Sequence, residues 1–154
     1  MTEPDYKTAL LTLFREAFEG VPEGADGTWF VQGKEGIFDA VENLSAEQAS
    51  KSFGPTSPTI GAHVRHLCYY LSFLNVSARG EEADADWNGS WSKQEFTPDE
   101  WTELGSELRK EYNDGLLYLE SGPEFKNQDT LTYSFAQVAH AAYHLGAIRA
   151  LMKV

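Results

Sequence analysis

The sequence predicts an all-α fold: a bundle of four long helices, with one additional short helix. Three observations carry this reading. Apolar residues recur at spacings of three and four in four separate segments, the pattern of one buried helical face. Proline and capping-box signals stand where several of those segments begin. No segment sustains the alternation of a half-buried strand, and "TWFVQ" and "DTLTYSF" are too short to build a sheet.

Residues 4–19 read as the first helix, with Pro4 at its first position and Leu10, Leu13, Phe14, Ala17 and Phe18 on one face. Gly20 is placed to take the unusual backbone angles of a helix end. The glycine-rich stretch 21–36 reads as a loop that Trp29, Phe30 and Val31 fasten to the body. Ile37, Ala40, Val41 and Leu44 mark a shorter helix, and Ser45 and Gln48 have capping-box spacing for one more turn. Gly54, Pro55 and Pro58 end that run. From Thr59 to Arg79, Ile60, Val64, Leu67, Leu71 and Leu74 form the strongest stripe in the chain. A long loop, 80–96, carries Trp87 and Trp91, and loops of that length without structure of their own are often functional. Thr97 and Glu100 form a second capping box, with Pro98 at the first helical position. Trp101, Leu104, Leu108, Tyr112, Leu116 and Leu119 continue that helix until Ser121-Gly122-Pro123 stops it. The last helix is expected to begin between Thr130 and Ser134 and to run to the C-terminus.

At 154 residues the chain fits one domain, residues 1–154. Its 24 acidic and 12 basic residues give a formal charge of −12, which opposes a phosphate backbone, so no nucleic acid is expected as a partner. The same charge opposes anionic membrane surfaces. No segment has the ~18 consecutive apolar residues of a membrane span, and the N-terminus lacks the pattern of a secretory signal. The single cysteine, Cys68, forms no internal disulfide and is expected as a small buried apolar side chain. A cytoplasmic location is the expectation, with a small-molecule substrate as partner and a homodimer left open.

All four histidines fall in two segments, "HVRH" at 63–66 and "HAAYH" at 140–144, each in a long predicted helix. Residues three or four apart share a helical face, so His63 neighbours His66 and His140 neighbours His144. Where two such faces meet, three or four imidazoles converge. Neutral imidazole is a common ligand for intermediate-softness metals, and three such ligands leave positions open for water or substrate. The alternative is a set of core histidines satisfied by ordinary hydrogen bonds. On a helical wheel at ~100° per residue, His63 lies about 60° and His66 about 120° from the centre of the 60–74 stripe. Periodicity alone therefore favours His63 over His66.

The segments "TIGAHVRHLCYYL" and "AHAAYHLGAIRAL", with the "DWNGSW" loop between them, resemble the DinB/YfiT-like family over nearly the whole chain. That resemblance implies an up-down-down-up four-helix bundle whose metal is held by a His-Leu histidine of the second long helix and a His-x-x-x-His pair of the fourth. Carried over, these are His66, which precedes Leu67, and His140 with His144. Ala147 stands where relatives often have Gln. The resemblance further implies a divalent metal, zinc first with nickel, iron or manganese as alternatives. Members are described as metal-dependent hydrolases or as S-transferases that use a low-molecular-weight thiol. His63, Tyr70, Gln137 and Tyr143 are then expected beside the metal ligands or against substrate. Arg65 and Arg149 are candidates to attract a carboxylate, with surface ion pairing as the alternative. A non-catalytic metal- or ligand-binding bundle remains the competing reading.

Overall fold

The computed structural model describes residues 5–25, 28–82, 84–121 and 128–153, without the side chain of Thr130. Among them are seven helices and no strands. Four are long: α1 (Tyr6–Glu19), α4 (Ile60–Ala78), α6 (Pro98–Glu120) and α7 (Gln128–Leu151). Three are short: α2 (Ile37–Asn43), α3 (Ala46–Ala49) and α5 (Trp87–Ser90), so the expectation of one additional short helix is corrected to three. None of the helices is long and apolar enough to cross a membrane among the described residues.

The ends of these helices follow local chemistry. Asp5 caps α1 by accepting the Thr8 amide, while Pro4, the predicted first helical residue, lies outside the described residues. Gly20 closes α1 at φ 80°, and a Cβ there would stand 2.5 Å from the Gly33 carbonyl oxygen. Only glycine fits that close crossing. Both predicted capping boxes form, at Ser45 with Gln48 and at Thr97 with Glu100, and Thr59 caps α4 by accepting the Ala62 amide. Helix α7 starts at Gln128, earlier than the predicted 130–134. Its first turn is polar, with Asp129 favoured at the positive end of the helix dipole, and so carries no apolar periodicity to read. Helix α6 ends at Glu120 with Ser121 as its cap, and the predicted stop at Gly122 and Pro123 lies outside the described residues.

Helix packing is compatible with a bundle. Helix α1 packs on α6 and α7, and α4 packs on the same two helices. Near its start α4 meets the segment just before α6: a Cβ on Gly61 would stand 2.5 Å from the Phe96 ring. Near its end, Asn75 donates through Nδ2 to the Glu111 carbonyl and carboxylate at 2.9 Å each. The Lys7 ammonium reaches the Glu120 carbonyl, and Tyr112 donates its hydroxyl to Glu19 at 2.6 Å. Phe14, Phe18, Phe38 and Tyr112 form a connected aromatic core, each ring within 5.5 Å of another. Such contacts add edge and stacking interactions to plain burial.

The 20–36 segment is pinned by a buried charge. Glu16 is 5% exposed, and its Oε1 accepts the backbone amides of Trp29, Phe30 and Val31 at 2.7, 2.6 and 3.1 Å. Of the three apolar side chains expected to fasten it, Val31 is buried in the core, whereas Trp29 is 71% exposed. The carboxylate adds a second anchor, because a loop whose amides have no helical or strand partner needs another acceptor. Glu16→Ala is expected to lower unfolding free energy by about 2–4 kcal/mol, since it leaves three amides without their acceptor. Glu16→Gln keeps an acceptor oxygen and is expected to lose less than half as much. Urea denaturation of the two variants checks the order.

Candidate metal centre

The α4–α7 seam holds all four histidines, placed there by the side of α4 that faces α7 rather than by its apolar stripe. His63, His66 and His144 are buried, with His144 at 0% exposure, and His140 is half-buried. His66, His140 and His144 each offer one ring nitrogen, and these three nitrogens lie within 4.8 Å of one another. The Nε2 atoms of His140 and His144 are 3.0 Å apart. That separation suits two donors on one ion: with metal–nitrogen bonds of ~2.0–2.1 Å, neighbouring ligands stand roughly 2.9–3.4 Å apart, from octahedral to tetrahedral. Without an ion, the same distance lets one ring donate its proton to the other.

The outer nitrogens are already committed. Ser90 donates its hydroxyl to the Trp87 carbonyl at 2.6 Å, so its oxygen accepts from His66 Nδ1, also at 2.6 Å. This fixes the His66 proton on Nδ1 and leaves Nε2 with a free lone pair. His144 Nδ1 lies 3.1 Å from His63 Nδ1. A proton on His144 Nδ1 donated to His63 frees His144 Nε2 in the same way. His63 thus sits behind a candidate ligand rather than among the three, as the resemblance implied and the wheel did not. Helix α4 packs on two partners, α6 and α7, so its stripe centre marks neither seam alone.

Aromatic rings enclose the cluster. Trp91 stacks on His66 with centroids 4.1 Å apart, and Tyr70 stacks on His140 at 3.8 Å. Tyr143 stands edge-on to His144 at 5.0 Å and is 62% exposed. Tyr70 therefore meets the site through its ring face. Gln137 lies one turn before His140, but it lines a separate crevice of about 210 Å³ with Leu74, Ser77 and Tyr118. Its Oε1 is buried with no donor among the described residues. Arg149 pairs with Glu35, the surface ion pairing that was its alternative reading, and Arg65 donates through Nη1 to the carbonyls of Gly89 and Ser90. Cys68 is buried, and burial pushes its thiol pKa far above the usual range, which fits the inert role expected of it.

Electrostatics keep the imidazoles neutral. Burial, then repulsion from His63, pushes the His66 pKa down to about 4. Burial, then His66, takes His140 to about 4 as well. His63 is lowered by burial, and His144 is lowered furthest, by burial and then by the three neighbouring rings. Neutral rings present lone pairs, which is the form a metal takes. Among the described residues no carboxylate or thiol joins the three-histidine group.

Sequence reading missed Ser90 and the α5 turn that delivers it. Asp86 caps that turn by accepting the Gly89 amide at 2.8 Å, and the Asp86-to-Gly89 spacing was the one readable sign. Ser90→Ala removes the acceptor of His66 Nδ1 and is expected to weaken metal binding about 10–100-fold, the usual effect of losing such a partner. Competition with a chelator measures it.

No curated protein and no solved structure matches the chain. The DinB superfamily profile matches residues 30–148, which takes in both histidine segments and the α5 turn between them. A match over that much of the sequence, on helices that bring His66, His140 and His144 together, is decisive: the chain belongs to the DinB superfamily.

Proposed function

We propose that the protein is a metal-dependent enzyme in which His66, His140 and His144 hold one divalent ion, zinc first. The observation that carries this is the set of three nitrogens within 4.8 Å, two of whose rings are oriented from behind by Ser90 and His63. Three neutral ligands leave the ion its full charge, and such an ion lowers the pKa of a bound water or thiol enough to make a nucleophile near neutral pH. The chain's own residues hold the imidazoles in the ligating tautomer, keep them neutral by burial and surround them with aromatic rings. The reaction proposed is attack of water or a low-molecular-weight thiol on a small electrophile, as a hydrolase or an S-transferase.

The topology proposed with it is up-down-down-up. Support comes from the pairings along the helices: Gly61 with Phe96 and Asn75 with Glu111 run α4 and α6 in the same direction. His63 with His144 and His66 with His140 oppose α4 to α7, while Lys7 with Glu120 and Glu19 with Tyr112 oppose α1 to α6.

A second reading, a binding module without turnover, is favoured by one observation: no carboxylate stands in the histidine group as a general base, among the described residues. The zinc-loaded protein separates the two. Turnover of an activated ester, or consumption of a thiol with an electrophile such as an alkyl halide, supports the enzyme. A fully loaded protein inert to both panels supports the binding module.

A further inference from the structure

We infer that the crevice beside Gln137 is a second binding site, apart from the histidines, for an uncharged one-ring molecule that donates a hydrogen bond. It stands independently of the metal centre.

An unpartnered acceptor on a cavity wall carries it. Among the described residues, two buried side-chain atoms have no hydrogen-bond partner, Asn75 Oδ1 and Gln137 Oε1. Packing accounts for the first: Asn75 Nδ2 is committed to Glu111, and a Cβ on Gly115 would stand 3.4 Å from Oδ1, so that oxygen lies against the bare backbone of α6. Gln137 differs in lining a cavity. It is 3% exposed, and a buried acceptor without a donor is a standing cost to the fold, which a bound donor removes.

Size and lining define what fits. The volume, about 210 Å³, exceeds the ~150 Å³ of an apolar protein cavity that holds benzene and is several times the ~30 Å³ share of one water. Leu74 and Ala78 give the crevice apolar wall, while Tyr118 and Tyr133 give it rings on which a flat body stacks. Its spare polar capacity is for accepting. Gln137 Oε1 has no donor, and Ser77 donates its hydroxyl to the Phe73 carbonyl at 3.0 Å, which leaves lone pairs on its own oxygen. The terminal torsion of a glutamine is soft, so the amide can turn its oxygen toward a donor in the cavity. Among the described residues no charged side chain lines the crevice, and Arg79, next in sequence to Ala78, is paired with Glu81. A charged ligand would lose its water there without gaining a counter-charge.

The test titrates phenol, anisole and benzoate into the full isotope-labelled chain and follows the Gln137 side-chain amide and the Ser77 and Ala78 backbone amides by NMR. Phenol is expected to shift these resonances saturably and to bind at least about fivefold more tightly than anisole, the ~1 kcal/mol of one hydrogen bond, with benzoate weaker than both. The response should be the same with and without a chelator, which separates the crevice from phenol ligating a metal. Gln137→Leu should fold at least as stably as the wild type, because an apolar side chain of similar size removes the unsatisfied acceptor, and should bring phenol and anisole within about twofold of one another. Ala78→Leu fills the crevice from α4 and should lose the response to phenol while Gln137 stays in place. Equal affinity for phenol and anisole in the wild type, benzoate binding as tightly as phenol, a preference that survives Gln137→Leu, an unchanged response in Ala78→Leu, or a response lost in chelator overturns the inference. So does the absence of any saturable shift, which assigns the crevice to water alone.

Discussion

His144→Ala is expected to strip the protein of its metal. Purified without a histidine tag and supplied with zinc, the wild type should retain about one ion per chain, and the variant should bind more than about 100-fold more weakly. The bound comes from comparison: removing only an outer hydrogen-bond partner of a ligand costs about 10–100-fold, and His144 is proposed as a ligand. It is also the hub of the cluster, with one ring nitrogen against His63 and the other against His140. Its removal undoes one ligand and the orientation of another group at once.

The substitution also empties a site that is 0% exposed, so it weakens the fold as well as the metal site. His140→Ala separates the effects. His140 is half-buried, and its truncation leaves less of a void while deleting a ligand just the same. Both variants should lose zinc, with His140→Ala keeping more of the metal-free stability. Binding also reports through stability: an ion at about 100 times its dissociation constant adds about 2.7 kcal/mol to the folded state. Adding a chelator should therefore lower the melting temperature of the wild type and leave both variants unmoved. Elemental analysis that finds no metal in zinc-supplied wild type would sink the site.

What could be read from the sequence divides along physical lines. Helices α4 and α6 were legible because each combines a long apolar stripe with a polar cap, Thr59 for one and the Thr97–Glu100 box for the other, so periodicity and end signals agree. Helix α7 was legible in its interior and not at its start, where Gln128 and Asp129 carry no stripe. Helix α5 is not legible, because four residues are too few to show a period. His140 and His144 were visible as an i, i+4 pair, but the choice between His63 and His66 was not visible from periodicity. That choice depends on which neighbour each side of α4 meets, a tertiary fact, and only the family resemblance favoured His66. Ser90 and Glu16 escaped for a related reason. Each acts on groups distant in the chain, His66 for one and the Trp29–Val31 amides for the other, and no local pattern encodes such a partner.

Acid should expose the histidines as a liability of the metal-free protein before it touches the carboxylates. His66 and His140 have pKa values near 4 in the folded chain, against ~6.5 when unfolded. Between those values the unfolded chain binds more protons, so stability rises with pH through this window. The contribution is complete above about 6.5 and is lost as pH falls toward 4, at up to ~1.4 kcal/mol per pH unit for each ring. The two rings repel one another when charged, so they titrate as a coupled set and their losses do not simply add. Ordinary carboxylates titrate near 4, which makes pH 6.5 to 5 the clean interval. In chelator, urea unfolding should show stability falling by at least about 1 kcal/mol from pH 6.5 to 5, with a shallower slope in His140→Gln. The bound ion reverses the balance. Protons compete with a metal only near the folded pKa, so zinc retention should change little from pH 7 to about 5, whereas exposed histidines of ordinary pKa would begin to release it near 6.5. A metal-free protein with flat stability across that interval, or zinc lost already at pH 6, would show that the imidazoles are not held neutral by burial.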